Sequence, residues 1–384
     1  MSNEAGPTPN KRLHVGLNAQ LLSSESGYRN AGVSQYIHWL MTTLPGIAPD
    51  MRFTAFGGDA ARGYHGWGVC SPHTQKDAAA ARILWEQTAL PRQARRQQLD
   101  LLHSPVYAGP LLTQCPQVVT LHDLSFYLFP HLFPPARRAY LQRITRETAR
   151  RAAAIIAVSA STARDAVEIL KVPPDRVRVI PNGVNPDLKP PTEEMVASLR
   201  ARLGLPERYI LYLGTLEPRK NLPVLIQAYA QARRFGVEHG LVLAGGRGWY
   251  DEPIDAALHE AGVADHVLLP GYIPAEDLSA LYGGADLFVY PSLYEGFGLP
   301  PLEAMACGTP VLTSNVSAVP EIVGHAGVTV NPREPEQMAA EMAALLADDE
   351  RRRLLAAAGL ERAALYTWEN TARRTAALYG EVAA

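Results

Sequence analysis

Two stretches of the chain bring charged side chains and glycines together at spacings that suit a phosphate flanked by hydroxylated rings. In Glu295-Gly-Phe-Gly-Leu-Pro-Pro-Leu-Glu303, two carboxylates bracket a glycine-containing turn. An apolar strand, Asp286-Leu-Phe-Val-Tyr-Pro291, precedes it. Ala304-Met-Ala-Cys-Gly308 follows as a helix with a glycine stop, and then a strand, Thr309-Pro-Val-Leu-Thr313. Strand, glycine loop, helix, strand is a βαβ unit, and open α/β sheets bind ligands at the carboxyl ends of their strands. Glycine lets backbone N–H groups come close to a ligand, and a helix N-terminus favours an anion. Glu295, in the loop, and Glu303, expected about two turns into the helix, can both accept hydrogen bonds from hydroxyls of one molecule. A nucleotide-sugar has that form. Taken alone, the same residues also fit an ordinary βα turn with two solvated acids.

The second stretch is Gly214-Thr-Leu-Glu-Pro-Arg219-Lys220-Asn221, at the end of another apolar strand. A helix is expected next, with Asn221 as N-cap, Pro223 in the first turn, and Leu222, Leu225, Ile226 and Tyr229 on its buried face. Arg219 and Lys220 then sit at a helix N-terminus, where the macrodipole disfavours cations. An anion between them resolves the conflict: arginine grips a diphosphate through its fork and lysine acts as a point charge. The alternative is a solvated loop that tolerates the penalty.

The elements that must position these loops alternate along the whole chain. In the first half, strands are read at Leu13–Asn18, Arg52–Phe56, Leu99–His103, Gln117–Leu121, Ala154–Val158 and Arg176–Ile180. Helices are read from Val33 and over 82–98, 134–152 and 161–170. Turn formers cluster at Pro181-Asn-Gly-Val-Asn-Pro186 and Lys189-Pro-Pro191, an expected linker and hinge. The alternation restarts at Tyr209–Gly214 and runs through strands at 241–244, 266–269, 286–290, 310–313 and 328–330 to a helical tail. Strands separated by helices mean parallel sheets. The expected class is α/β, with two Rossmann-like, doubly wound parallel-sheet domains facing a central cleft. The first spans 1–185 and the second 186–366, and a last helix, 367–384, returns to the first.

Length and composition agree. The chain has 384 residues, 47% of them hydrophobic, and a net charge of −2. No apolar run is long enough to span a membrane, and the polar segment Met1–Arg12 reads as a disordered lead-in rather than a signal peptide. Three scattered cysteines, Cys70, Cys115 and Cys307, argue against a disulfide framework or zinc site and for a reducing cytosol.

The two stretches resemble the donor-site motifs of the retaining glycosyltransferases of family 4, which have the GT-B fold. Gly214 to Leu222 is similar to one motif. Glu295 to Glu303 is similar to the signature of two glutamates separated by seven residues. Val118-Val-Thr-Leu-His122-Asp123, Val158-Ser159 and Ile180-Pro-Asn-Gly-Val184 also resemble that family in order. The resemblance runs from about 13 to 380 and is closest to bacterial mannosyltransferases that extend surface polysaccharides. It implies catalytic roles for His122, Arg219, Lys220 and Glu295. Arg219 and Lys220 would bind the donor diphosphate, Glu303 the ribose and Glu295 the donor sugar. The backbone of Gly296, Phe297, Gly298 and Leu299 would line sugar and phosphate, beside Gly214. Gly271 to Ile273 would border the base, and Gly32 would admit the diphosphate or acceptor. One departure stands out: Ser34 replaces the second glycine that many relatives carry after Gly32.

The resemblance further implies a nucleotide-sugar substrate, with GDP-mannose as leading donor, a glycan or lipid-linked glycan acceptor, and no cofactor. The chain has no Asp-x-Asp, so Arg219 and Lys220 would supply the positive charge without a metal. The competing readings are the same reaction on a UDP-sugar, a non-hydrolysing sugar-nucleotide epimerase, and a catalytically silent binder or scaffold. No Gly-x-Gly-x-x-Gly follows the first strand and Gly245-Gly-Arg-Gly248 has the wrong spacing, which argues against an oxidoreductase. Residues 1–189 carry 21 Lys/Arg against 13 Asp/Glu, a net of +8 that leaves −10 for the rest. Arg137, Arg138, Arg143, Arg146, Arg150 and Arg151 share one helix. A solvated face or contact with an anionic membrane or lipid-pyrophosphate fits this pattern, and nucleic acid does not, since no aromatic recognition motif accompanies the arginines. The expected location is the cytoplasm, with peripheral membrane contact.

Overall fold

The computed structural model of the protein describes residues 12–23, 32–71, 79–246 and 252–384. The lead-in before Arg12, the loop residues Gly27, Tyr28, Arg29 and Asn30, and Gly248 lie outside them. Two sheets organise the chain. The first holds β1 (His14–Asn18), β2 (Arg52–Phe56), β3 (Trp67–Cys70), β4 (Leu101–Ser104), β5 (Gln117–Leu121), β6 (Ala154–Ala157) and β7 (Val177–Val179), in the order β3-β2-β1-β4-β5-β6-β7. The second holds β8 (Tyr209–Leu213), β9 (Gly240–Ala244), β10 (Val267–Gly271), β11 (Leu287–Tyr290), β12 (Val311–Ser314) and β13 (Val328–Val330), in the order β10-β9-β8-β11-β12-β13. Every pairing described is parallel. The inner strands are short apolar runs because helices cover both faces, so alternation is absent and runs such as β1, β6 and β11 bury completely.

In each sheet the order reverses at one point, between β1 and β4 in the first and between β8 and β11 in the second. At such a switch the loops leave in opposite directions and open a crevice. The second switch point carries the two charged stretches, because Gly214–Asn221 follows β8 and Pro291–Gly298 follows β11. The first carries the segment after β1 and the loop after β4.

Among the elements that escape the sequence reading, two bear on how the sheets and the domain junction form. Strand β3 is short and bordered by Gly66, and pairing with β2 at the sheet edge makes it a strand. Its Trp67 is held by an indole N–H donated to the Met41 carbonyl at 2.8 Å. The helix Glu193–Leu203 lies between the stretch read as linker and the restart of the strand alternation. Thr192 caps it by accepting from the Met195 N–H, and Gly204 ends it at φ 65.

The last helix, Trp368–Ala383, packs on the first domain. Trp368 stacks on Trp39 of the helix Val33–Ile47, with ring centroids 6.1 Å apart, and Tyr379 hydrogen-bonds His103 at 2.6 Å. The chain therefore crosses between domains twice, and the crossings touch. The Val184 N–H donates to the Tyr366 carbonyl at 2.9 Å, and a Cβ on Gly183 would lie 2.4 Å from the Trp368 nitrogen.

Candidate active site

The loop after β8 makes a single 3-10 turn, Pro218–Lys220, before the helix Leu222–Arg234 begins. Arg219 and Lys220 thus stand on a turn ahead of the helix rather than on its first residues. Asn221 occupies the N-cap position but does not cap. It is in the left-handed conformation, φ 62, and its amide donates to the carbonyls of Pro291 and Pro332. The side chain ties this loop to the one after β11, and a second tie runs from the Leu293 N–H to the Arg219 carbonyl at 2.9 Å.

Both cations converge on Glu295. Lys220 Nζ lies 2.6 Å from Oε1 and Arg219 Nη1 3.1 Å from Oε2. Arg219 also pairs with Glu217 at 2.8 Å and donates to the Tyr294 carbonyl at 2.5 Å, while Lys220 donates to the Tyr290 hydroxyl at 2.7 Å. Tyr290 donates in turn to Glu295 at 3.1 Å. Lys220 and Glu295 are only 7% and 8% exposed, so these charges interact with little screening by water. Burial pushes the Glu295 carboxyl up, but Arg219 and Lys220 outweigh it and hold the group down at about 2. Burial and Arg219 pull the Lys220 ammonium down. Burial would lower Arg219 too, but Glu295, Asp123 and Glu217 hold its guanidinium well above the ordinary value.

Three residues beyond Glu295, Gly298 takes φ 107 and opens the helix Leu299–Ala306. Leu299 is its first residue and Glu303 its fifth, one turn in rather than two. The helix starts at Leu299, where Pro300 and Pro301 suit a first turn that needs no N–H donors. Glu303 accepts from the Tyr282 hydroxyl at 2.8 Å, and burial raises its carboxyl. Phe297 turns into the core, edge-on to Tyr366, so only its backbone can serve the cleft. Gly214 ends β8, with its N–H donated to the Ala244 carbonyl. Past β10, Ile273 is buried at 4% while Tyr272 is 46% exposed, so the residue that can offer a ring to a base is Tyr272.

The first domain closes on this loop. A Cβ on Gly296 would sit 1.6 Å from the His122 carbonyl oxygen, so only glycine admits the approach. The Gly296 carbonyl accepts from Ser159 at 2.6 Å and Thr162 at 3.0 Å. The Glu321 carboxylate receives the backbone N–H groups of Ala160 and Ser161 at the start of the helix Ala160–Leu170. Tyr294 donates to Asp165 at 2.7 Å and accepts from the Leu124 N–H at 3.2 Å.

His122 follows β5. Its Nε2 donates to the Pro105 carbonyl at 3.0 Å, which leaves Nδ1 as the unprotonated nitrogen. Burial lowers its pKa, so the ring is neutral near pH 7 and can accept from a sugar hydroxyl. Its edge packs against Tyr36, 4.9 Å between centroids, and Tyr36 belongs to the helix that Gly32 opens. Gly32 takes φ 58, and a Cβ added there would meet nothing within 4 Å, so its role is conformational. Ser34 is buried and accepts from the Ser23 N–H at 3.1 Å, which ties the end of the segment after β1 to the start of the helix.

The structure thus gathers Arg219, Lys220 and Glu295 in one cluster, sets His122 and Gly296 against each other, and holds Glu303 one turn away. The sequence reading missed Tyr290, Tyr282, Glu217 and Glu321. Of these only the tyrosines left a signal, since a tyrosine at a buried strand end or helix needs a polar partner for its hydroxyl.

Comparison with known proteins agrees with this geometry. Residues 197–362 match the family model "Glycosyl transferases group 1" and residues 32–188 match "Glycosyltransferase Family 4". An O-antigen chain mannosyltransferase B from Escherichia coli is 36% identical over 265 residues, covering 68% of this chain and 69% of that protein. The serotype-specific mannosyltransferase WbdA from the same organism is 35% identical over 265 residues, 66% of this chain, but the match spans only 32% of WbdA. Among solved structures, a sucrose-phosphate synthase from Thermosynechococcus elongatus superposes with a TM-score of 0.76 at 23% identity, over 97% of this chain and 99% of that one. Anabaena HepE in complex with UDP-glucose gives 0.74 at 20% identity, over 96% and 100%. With two parallel sheets meeting at paired switch points, and with both halves of the chain matched in order, the protein belongs to glycosyltransferase family 4 and is a nucleotide-sugar-dependent glycosyltransferase of GT-B fold.

Proposed function

We propose that the enzyme transfers mannose from GDP-mannose to a glycan or lipid-linked glycan acceptor during surface polysaccharide synthesis, with retention at the anomeric carbon and without a metal ion. The observation that carries this reading is the convergence of Arg219 and Lys220 beside the glycine loop. Preorganised cations aimed at a departing diphosphate stabilise the charge that develops as the bond from anomeric carbon to phosphate oxygen breaks. The mannosyl assignment rests on the similarity to mannosyltransferases. In the step proposed, the acceptor oxygen bonds to the anomeric carbon on the face the phosphate leaves, and the acceptor's proton passes to a phosphate oxygen. Glu295 and His122 hold the sugar. Glu303 takes the ribose hydroxyls.

A UDP-sugar is the second reading, favoured by the similarity to HepE, whose structure contains UDP-glucose. A thermal-shift panel of GDP, UDP and ADP separates them, because a ligand that binds only the folded state at a hundred times its Kd adds about 2.7 kcal/mol. GDP is expected to give the largest shift and to do so unchanged in EDTA. A larger shift with UDP, or turnover abolished by EDTA and restored by Mg²⁺ or Mn²⁺, would replace the donor or the metal-free step respectively.

The acceptor side bears on membranes. Arg137, Arg143, Arg146, Arg150 and Arg151 are exposed on the helix Pro135–Arg151, and a cationic face gains about 1 kcal/mol per side chain near an anionic leaflet. Among the described residues no helix is long and apolar enough to cross a membrane, so contact would be peripheral. Vesicles containing phosphatidylglycerol are expected to retain the protein at low salt and release it at high salt. Equal recovery with neutral vesicles would reject the contact.

A further inference from the structure

One residue of the donor loop is anchored outside its own domain. Tyr294, directly before Glu295, is 5% exposed, and a buried tyrosine needs a polar partner for its hydroxyl. It finds two, both in the first domain. The hydroxyl donates to Asp165 Oδ2 at 2.7 Å, on the helix Ala160–Leu170, and accepts from the Leu124 N–H at 3.2 Å. Leu124 stands two residues after His122. The ring lies beside Phe129 of the same domain, 5.9 Å between centroids.

The backbone around this side chain grips Arg219. The Leu293 N–H donates to the Arg219 carbonyl at 2.9 Å, the Tyr294 carbonyl accepts from Nη1 at 2.5 Å, and the Glu295 carboxylate pairs with the same Nη1 at 3.1 Å. Three consecutive residues thus fix both ends of the arginine, its backbone and its guanidinium. Tyr294 joins that grip to the first domain, because its carbonyl faces the arginine and its hydroxyl faces Asp165. Glu217 holds Nη2 at 2.8 Å from within the second domain. Arg219 therefore keeps a charge partner when Tyr294 slackens, and what it loses is its aim. The ties of the Gly296 carbonyl to Ser159 and Thr162 lie beyond Glu295 and do not involve the atoms that hold Arg219.

We propose that Tyr294 is a positioning residue for the transfer step: anchored by Asp165 and the Leu124 N–H of the first domain, it sets the aim of Arg219 at the departing diphosphate through its own carbonyl. Small errors of aim cost most where charge develops in the transition state. The inference rests on the glycosyltransferase reading and adds to it a residue, with its partner Asp165, that acts through Arg219.

The test compares wild type, Tyr294→Phe, Asp165→Ala and the double variant in turnover of GDP-mannose with the methyl glycoside of α-linked mannobiose. Tyr294→Phe is also made in an Arg219→Ala background. Tyr294→Phe is expected to lower kcat about tenfold, the size of one hydrogen bond to a charged acceptor, with the donor KM changed less than about threefold, since ground-state contacts remain. Asp165→Ala is expected to cost about as much, and the double variant no more than either, because both break one bond. In Arg219→Ala the tyrosine change is expected to cost less than about twofold. Hydrogen exchange gives a second readout that needs no donor: both single variants should speed exchange of the Leu293 amide, which Arg219 protects. A tenfold loss in both the wild-type and Arg219→Ala backgrounds would overturn the proposal, as would wild-type kcat in Tyr294→Phe or in Asp165→Ala. If Tyr294→Phe does not fold, Asp165→Ala decides by the same two readouts. A wild type that uses UDP-glucose in place of GDP-mannose refutes the donor assignment alone, and the same ratios are then read with UDP-glucose. If neither donor turns over, the glycosyltransferase reading fails, and unchanged Leu293 exchange in Asp165→Ala rejects the anchor by itself.

Discussion

Glu295→Ala is expected to unfold at a markedly lower temperature than wild type, and GDP or pyrophosphate is expected to restore more of that loss than either adds to wild type. The cause is the charge left behind. Glu295 is the shared partner of Lys220 at 2.6 Å and Arg219 at 3.1 Å. Removing one member of a buried ion cluster leaves uncompensated charge and costs about 3–5 kcal/mol. Arg219 keeps Glu217 as a direct partner, while among the described residues Lys220 keeps the Tyr290 hydroxyl and the field of Glu217. A diphosphate supplies the missing negative charge at the same place, so it should stabilise the variant preferentially. Scanning calorimetry with and without 5 mM nucleotide, a concentration of about that order being needed to saturate a weakened site, reads the difference. Equal nucleotide shifts in both proteins would mean that the phosphates bind elsewhere.

The same cluster sets a pH dependence. A carboxyl held at about 2 in the fold against an ordinary 4.5 binds its proton less tightly folded than unfolded. Its stabilisation is therefore complete above about pH 4.5 and is lost as the pH falls towards 2, amounting to about 3 kcal/mol. In Glu295→Ala this acid-labile portion should be missing, so its stability should fall less steeply as the pH drops from about 5 to about 3, through the upper part of that window.

Arg219→Ala is expected to lower kcat by about 10²–10³, the cost of deleting one preorganised donor to a developing negative charge, with the fold retained. Its guanidinium is kept charged by Glu295, Asp123 and Glu217 and oriented by Glu217 and the Tyr294 carbonyl, so it needs no reorganisation when the diphosphate departs. Lysine carries the charge without the fork, and Arg219→Lys should recover only part of the rate. A tenfold or smaller loss in Arg219→Ala, with saturating donor, would assign the leaving group's charge to another residue.

Much of this arrangement was legible because parallel strands under helices are local apolar runs. The Glu295–Glu303 and Gly214–Asn221 stretches stood out because glycines, charges and a strand end fall within nine residues. What could not be read depends on distance along the chain. Nothing near Glu295 says that Lys220, 75 residues earlier, will hold it. Nothing near Ser159 says that it will donate to Gly296. The role of Glu321 at the Ala160 N–H is likewise set by how strands order themselves in the sheets. Short edge elements such as Trp67–Cys70 form because a neighbour pairs with them, and their own residues carry little signal. Asn221 shows the converse error, since a good capping residue type was diverted to two loop carbonyls.

A crystal structure of the enzyme with GDP addresses the diphosphate site most directly. The phosphate oxygens are expected about 3 Å from both Arg219 Nη and Lys220 Nζ, with at least one of these groups released from Glu295. Phosphates bound outside the loops after β8 and β11, with the Arg219–Glu295–Lys220 cluster unchanged, would contradict it.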